Sequence, residues 1–120
     1  MGALTVLQGR AAGEAIVARE PGDRPDAVFA ANDLLAVGLL QAFALMADVR
    51  VPEDIALIGY DDIDFAAATV VPLSSIRQPA HLIGYSAVDL LLKDLADPDG
   101  PHERTVRFRP ELIVRESTGA

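Results

Sequence analysis

The feature that most constrains the fold of this 120-residue chain is a run without a single charge, residues 34–47, LLAVGLLQAFALMA. Asn32-Asp33 stands just before it, a good N-cap followed by a first-turn acid, so the pattern predicts a helix over 33–47. The run is apolar on nearly every side, and such a helix has to be covered on both sides rather than along one stripe. It falls short of the ~20 apolar residues of a membrane span, so the cover has to come from protein.

The rest of the pattern supplies candidate layers. Two short continuous apolar runs, 27–30 and 55–59, flank the helix and read as buried strands. Residues 8–19 space their apolar positions helically and end at Glu20-Pro21-Gly22-Asp23. Residues 73–77 predict a third strand, and Pro79 suits the first turn of a helix over 79–96 with an apolar stripe. Asp97-Pro98-Asp99-Gly100-Pro101 breaks that helix, and 105–109 and 112–115 alternate like edge strands. Continuous apolar strands between helices indicate an α/β, parallel-sheet layer fold.

Composition excludes several function classes. The chain is 51% apolar and 23% charged, which rules out global disorder. Its net charge of −8 argues against binding a phosphate backbone or an anionic membrane. There is no cysteine, so disulfides, thiolate nucleophiles and Cys-based metal sites are excluded. His81 and His102 are the only histidines, each more often a loop residue than a ligand, and no metal or cofactor is expected. Neither Gly-rich phosphate loop occurs, nor the G-x-S-x-G nucleophile elbow. No charged stretch followed by an apolar core opens the chain, so a cytoplasmic location is expected.

In open α/β sheets, ligands bind beyond the carboxyl ends of the strands. Asn32 and Asp33 follow the first predicted strand, Asp61 and Asp62 the second, and Gln78 the third. Amide side chains offer a donor and an acceptor on one plane, and a carboxylate accepts from two hydroxyls. That inventory suits a sugar or nucleoside-like ligand, and without a nucleophile beside a base it suits binding better than catalysis. Each residue also has a plainer reading. Asn32 and Asp33 cap the helix, Asp61-Asp62 starts a turn, and Gln78 is an ordinary polar residue before a helix.

The words AANDLLAVGLLQAF (30–43), VPEDIALIGYDDIDF (51–65), SSIRQP (74–79) and PELIVRES (110–117) resemble the lactose-repressor (LacI/GalR-type) transcriptional regulators. The resemblance covers nearly the whole chain. It implies the C-terminal portion of the effector-binding and dimerisation domain, one subdomain of a periplasmic-binding-protein-like (type I) fold. It carries effector contacts to Asn32, Asp61 and Gln78, with Asp33 and Asp62 as secondary contacts or caps. Ala80 stands where the family often has an aromatic residue that stacks on the ligand. The resemblance also places Val37, Leu40 and Gln41 in a homodimer interface, together with the segment after G-Y-D-D. The helix over 79–96 belongs, in the family, to an N-terminal subdomain not among these residues, so its apolar stripe is expected to lack its usual partner. The family holds operator DNA through an N-terminal helix-turn-helix. This portion is therefore expected to sense a small-molecule effector, a sugar before other classes, and not to bind DNA itself. Two other readings compete: a periplasmic-type sugar-binding module for transport, and a Mg²⁺-binding phospho-acceptor domain built on Asp61-Asp62. The second lacks a lysine on a later strand, since Lys93 lies in the 79–96 helix.

Overall fold

The computed structural model describes residues 2–46 and 48–119. The chain divides into two compact units, Met1–Arg77 with Leu112–Ala120, and Gln78–Glu111.

The first unit is built on a sheet of order β1-β2-β3-β4, with β1 at Ala27–Phe29, β2 at Ala56–Asp61, β3 at Ser74–Arg77 and β4 at Glu111–Ile113. β1, β2 and β3 run parallel, with Phe29 opposite Ile58 and Asp61 opposite Arg77. The expected parallel sheet is therefore present. One expectation needs correction: β1 is not buried. It is an edge strand, and Phe29 remains 63% exposed.

Helix α1 spans Val6–Val17 and starts at Thr5, whose hydroxyl accepts a hydrogen bond from the Gln8 N–H at 3.3 Å. Helix α2 spans Asp33–Met46. Ala47, the last residue of the uncharged run, lies outside the described residues. The two helices meet backbone to backbone. A Cβ on Gly9 would stand 2.1 Å from the Leu35 carbonyl oxygen, and one on Gly38 would stand 2.1 Å from that of Val6. Glycine at both positions is what lets the axes come this close. On its other side α2 sends Leu39, Leu40 and Phe43 into a core shared with Ile55 and Leu57 of the β2 region and with Leu73. α2 is therefore not covered all round. Leu34, Leu45 and Met46 stay exposed on a third face.

The second unit centres on helix α3, Ala80–Ala96, with Pro79 at the N-cap rather than in the first turn. No residue of α3 is buried, and Leu82, Tyr85, Val88 and Leu92 all remain exposed. Beyond α3 the chain folds back: Arg104 bonds the Asp94 carboxylate and the Pro98 carbonyl. The expected strand at 105–109 does not form. Pro110 has no N–H to give a ladder, and strand structure starts only at Glu111. Among the described residues no helix is long and apolar enough to cross a membrane.

The glycine contact gives a direct test. Gly38→Ala forces α1 and α2 apart against a packed core, and overpacking of this kind costs about 1–3 kcal/mol. Urea unfolding of the variant is expected to show a lower midpoint. An unchanged midpoint contradicts the close helix approach.

Candidate functional site

The parallel arrangement puts the carboxyl ends of β1 and β2 at one edge of the sheet, and Asn32 and Asp61 stand there. Asn32 is the cap of α2: its Oδ1 accepts from the Leu35 N–H at 2.9 Å. Its Nδ2 donates to the Leu4 carbonyl at 3.1 Å, which ties the approach to α1 to the same corner. The capping reading is thus realised. One amide hydrogen and one lone pair of the side chain remain beyond these two bonds.

Asp33 is only 1% exposed. Its Oδ1 accepts from the Ser75 hydroxyl at 2.6 Å and its Oδ2 from the Ile63 N–H at 2.9 Å. Gly59 makes room for it, since a Cβ there would stand 2.1 Å from Asp33 Oδ1. The carboxylate is therefore used inside the fold, joining α2 to β3 and to the chain leaving β2.

Asp61 is the last residue of β2 and is exposed, whereas the Asp62 side chain is only 3% exposed. Both have positive φ, 105° and 52°, a conformation that side-chain-bearing residues adopt at a cost. The Asp62 N–H donates to Ser75 Oγ at 3.0 Å. Its Oδ2 accepts from Arg77 Nε at 2.7 Å, and its Oδ1 from Arg115 Nη1 at 2.6 Å. Burial alone disfavours the charged carboxylate, but the hydrogen bonds from Arg115 and Arg77 outweigh it and hold the Asp62 carboxyl below its ordinary range. Asp62 is thus an internal anchor rather than an open ligand.

Gln78, Val37, Leu40 and Gln41 are the remaining predicted residues. Gln78 follows directly on β3 and opens the second unit, where it is half-buried. Val37, Leu40 and Gln41 line a groove of about 310 Å³ on the open side of α2, completed by Leu45, Phe65 and Val70. Leu40 gives most of its side chain to the core, while Phe65 and Val70 are 56% and 92% exposed. Among the described residues no group of three or more acids and histidines is placed to hold a metal.

Sequence reasoning missed the partners that build this edge: Ser75, Arg77 and Arg115. Arg115 is fixed to the sheet, its N–H donating to Ser74 Oγ at 2.7 Å and its Nη1 to the Leu73 carbonyl at 2.7 Å. Ser117 Oγ donates to the Leu57 carbonyl at 2.6 Å and accepts from the Ser74 N–H at 2.8 Å. One signal was available. Two serines inside a buried strand, Ser74-Ser75, must find hydrogen-bond partners.

The Asp62 clamp predicts a pH dependence. Because its folded carboxyl titrates below the ordinary value of 3.8, its stabilisation is fully present above that value. It is lost as pH falls through the lower, folded value. Asp62→Asn should therefore flatten the decline in urea-unfolding stability below about pH 4. An equally steep decline in the variant refutes the clamp.

A family model described as a periplasmic binding protein-like domain matches residues 3–118. The HTH-type transcriptional repressor PurR of Photobacterium profundum is 44% identical over 79% of this chain and 28% of its own. The ribose operon repressor of Escherichia coli (strain K12) is 43% identical over 78% of this chain and 28% of its own. The chain thus spans less than a third of the length of these curated relatives. A solved complex of the transcriptional regulator CelR with cellobiose superposes with a TM-score of 0.84 at 36% identity, covering 97% of this chain and 34% of that one. With an α/β parallel sheet, polar groups at its carboxyl edge and relatives of this kind, the chain belongs to the periplasmic binding protein-like domain family, in the form carried by LacI-family transcriptional regulators.

Proposed function

We propose that this chain is the effector-sensing and dimerising part of a LacI-type regulator, and that its effector is a sugar or nucleoside-like molecule. The observation that carries the reading is the exposed Asp61 carboxylate at the end of β2, beside Asn32 at the corner after β1. A carboxylate accepts from two hydroxyls of a polyhydroxyl ligand, and an amide supplies the complementary donor and acceptor. The cellobiose held by the related CelR supports the sugar class. Gln78, at the matching position after β3, is the third proposed contact. Asp33 and Asp62 support the wall from within, since their oxygens are already engaged. No residue of the set acts as a nucleophile, and the chemistry is binding.

In such a regulator the effector acts by population shift. A ligand that prefers one arrangement of the effector domain raises its share, and the dimer passes the change to operator-binding heads. DNA contact belongs to an N-terminal helix-turn-helix, and the −8 charge of this chain agrees with that division of labour. The second copy is proposed to seat on the groove of Val37, Leu40, Gln41, Phe65 and Val70, where apolar side chains stand in water.

Two measurements test these statements. In calorimetric titration against D-ribose, cellobiose and inosine, the chain should bind at least one, and Asp61→Ala should weaken it roughly tenfold or more, as expected for loss of a charge-assisted hydrogen bond. Binding unaffected by Asp61→Ala removes the assignment. In sedimentation, the chain should be a dimer at micromolar concentration and Val70→Asp a monomer. A wild-type monomer overturns the dimer.

A further inference from the structure

The open face of α2 carries a projection and a recess on one surface. Val37, Gln41 and Leu45 follow one another at four-residue spacing and form a row along the helix. Beside the row lies the groove of about 310 Å³, walled by Phe65. Val70 lines the same groove yet is 92% exposed, so it stands out from the rim. A patch with both a projection and a recess suits a second copy related by a two-fold axis, where each projection enters the other recess. Two polar side chains line the groove. Thr69 turns its hydroxyl inward, onto the Ala66 and Val71 carbonyls at 3.0 and 2.7 Å. Gln41 is exposed, and among the described residues none hydrogen-bonds to its side-chain amide. Gln41 is thus the polar group that any occupant of the groove has to satisfy.

We infer that Gln41 is the specificity-determining residue of self-association: it stands at the middle of the α2 row, and across the two-fold axis its amide pairs with the same amide of the second copy. The inference deepens the proposed function and rests on the reading of this groove as the seat of a second copy. A primary amide is its own complement. It carries donor N–H groups and an acceptor oxygen on one plane, so two amides close a reciprocal pair of hydrogen bonds. In an isologous contact a residue at the axis meets itself, and the middle of a row that crosses its symmetry mate is such a place. Apolar contacts alone tolerate sliding, whereas an amide withdrawn from water without a partner is costly. The pair therefore adds little affinity and instead fixes the register in which Val37 and Leu45 of the two copies come together. A partner that presents hydrocarbon at this place leaves the amide unpaired and is disfavoured.

The test uses the full chain and three variants at this exposed position: Gln41→Glu, Gln41→Lys and Gln41→Leu. Sedimentation of each variant alone reports self-association. Native mass spectrometry of an equal mixture of the two charged variants, one of them isotope-labelled, separates mixed dimers from self dimers. Each charged variant brings like charges together, and alone it should associate at least about tenfold more weakly than wild type. The equal mixture should regain the dimer, nearly all of it with one chain of each kind. Misfolded chains would not be restored by mixing. Gln41→Leu should stay a dimer at micromolar concentration, because replacing both polar partners by hydrocarbon is close to neutral. If the two charged variants each dimerise alone as tightly as wild type, Gln41 lies outside the contact, and the inference falls while the dimer stands. If each is a monomer and the mixture is too, the amide does not face its own copy, and the inference falls. A monomeric Gln41→Leu overturns the register role, since the amide would then be the main source of affinity. A wild-type monomer overturns the dimer reading and the inference with it.

Discussion

The carboxylate of Asp33 is the contact on which the carboxyl edge of the sheet depends. It is buried, and it draws its two hydrogen bonds from a strand hydroxyl and a turn N–H. Ser75, having donated to Asp33, accepts from the Asp62 N–H. Asp62 then takes Arg77 and Arg115. A chain of hydrogen bonds thus runs from the first turn of α2 through β3 to the C-terminal segment, and every member constrains the next. A buried polar network of this kind fixes geometry rather than adding large net stability, because each group would otherwise have been bonded to water. Gly59 belongs to the same device by absence. A side chain there would occupy the space the Asp33 carboxylate needs.

Much of the fold around this network was legible in the sequence. The strands at 27–30, 55–59 and 73–77 are present as β1, β2 and β3 within one or two residues, because continuous apolar runs between helical patterns leave few alternatives to a parallel sheet. Asn32 was legible as a cap for local reasons, since it acts on an N–H three residues away. What sequence could not show was reach. Arg115 meets Asp62 across 53 positions and Ser75 meets Asp33 across 42, and no local pattern encodes either pairing. The misjudged strands have the same origin. Residues 105–109 alternate correctly, yet a strand exists only where a neighbour offers a ladder. β1 reads as buried by composition, but its position at the sheet edge leaves Phe29 in water.

The acidic character of the chain also changes meaning once it is placed. Six acids fall within residues 48–64 against Arg50, a density that in sequence suggests a solvated loop. In the fold these acids divide. Asp54 pairs with Arg50 inside its own turn, Asp62 is withdrawn among arginines, and Asp61 stands exposed at a strand end. Charge count says little about a ligand. What separates a structural acid from a candidate contact is whether folding withdraws its carboxylate from water or leaves it in reach of a molecule arriving from solvent.

The segment that follows β2 joins the two surfaces that the proposed function uses. Residues 62–73 begin at the gripped Asp62 and pass through the Asp64–Ala68 turn, which presents Phe65 to the apolar groove. They end at Leu73, whose N–H returns to the Ala66 carbonyl at 2.8 Å. Thr69 tightens the same stretch, its hydroxyl bridging the Ala66 and Val71 carbonyls at 3.0 and 2.7 Å. Ala66 is buried beneath it. Slack in this stretch is therefore small. Packed elements pass displacements between discrete arrangements rather than deforming continuously. Under the proposed function, coupling between the sheet edge and the groove needs no long path through the core. Phe65, the first ring of the apolar face, follows the anchored carboxylate of Asp62 almost directly in the chain. The stiffness of that short connection decides how much of a change at one surface is felt at the other.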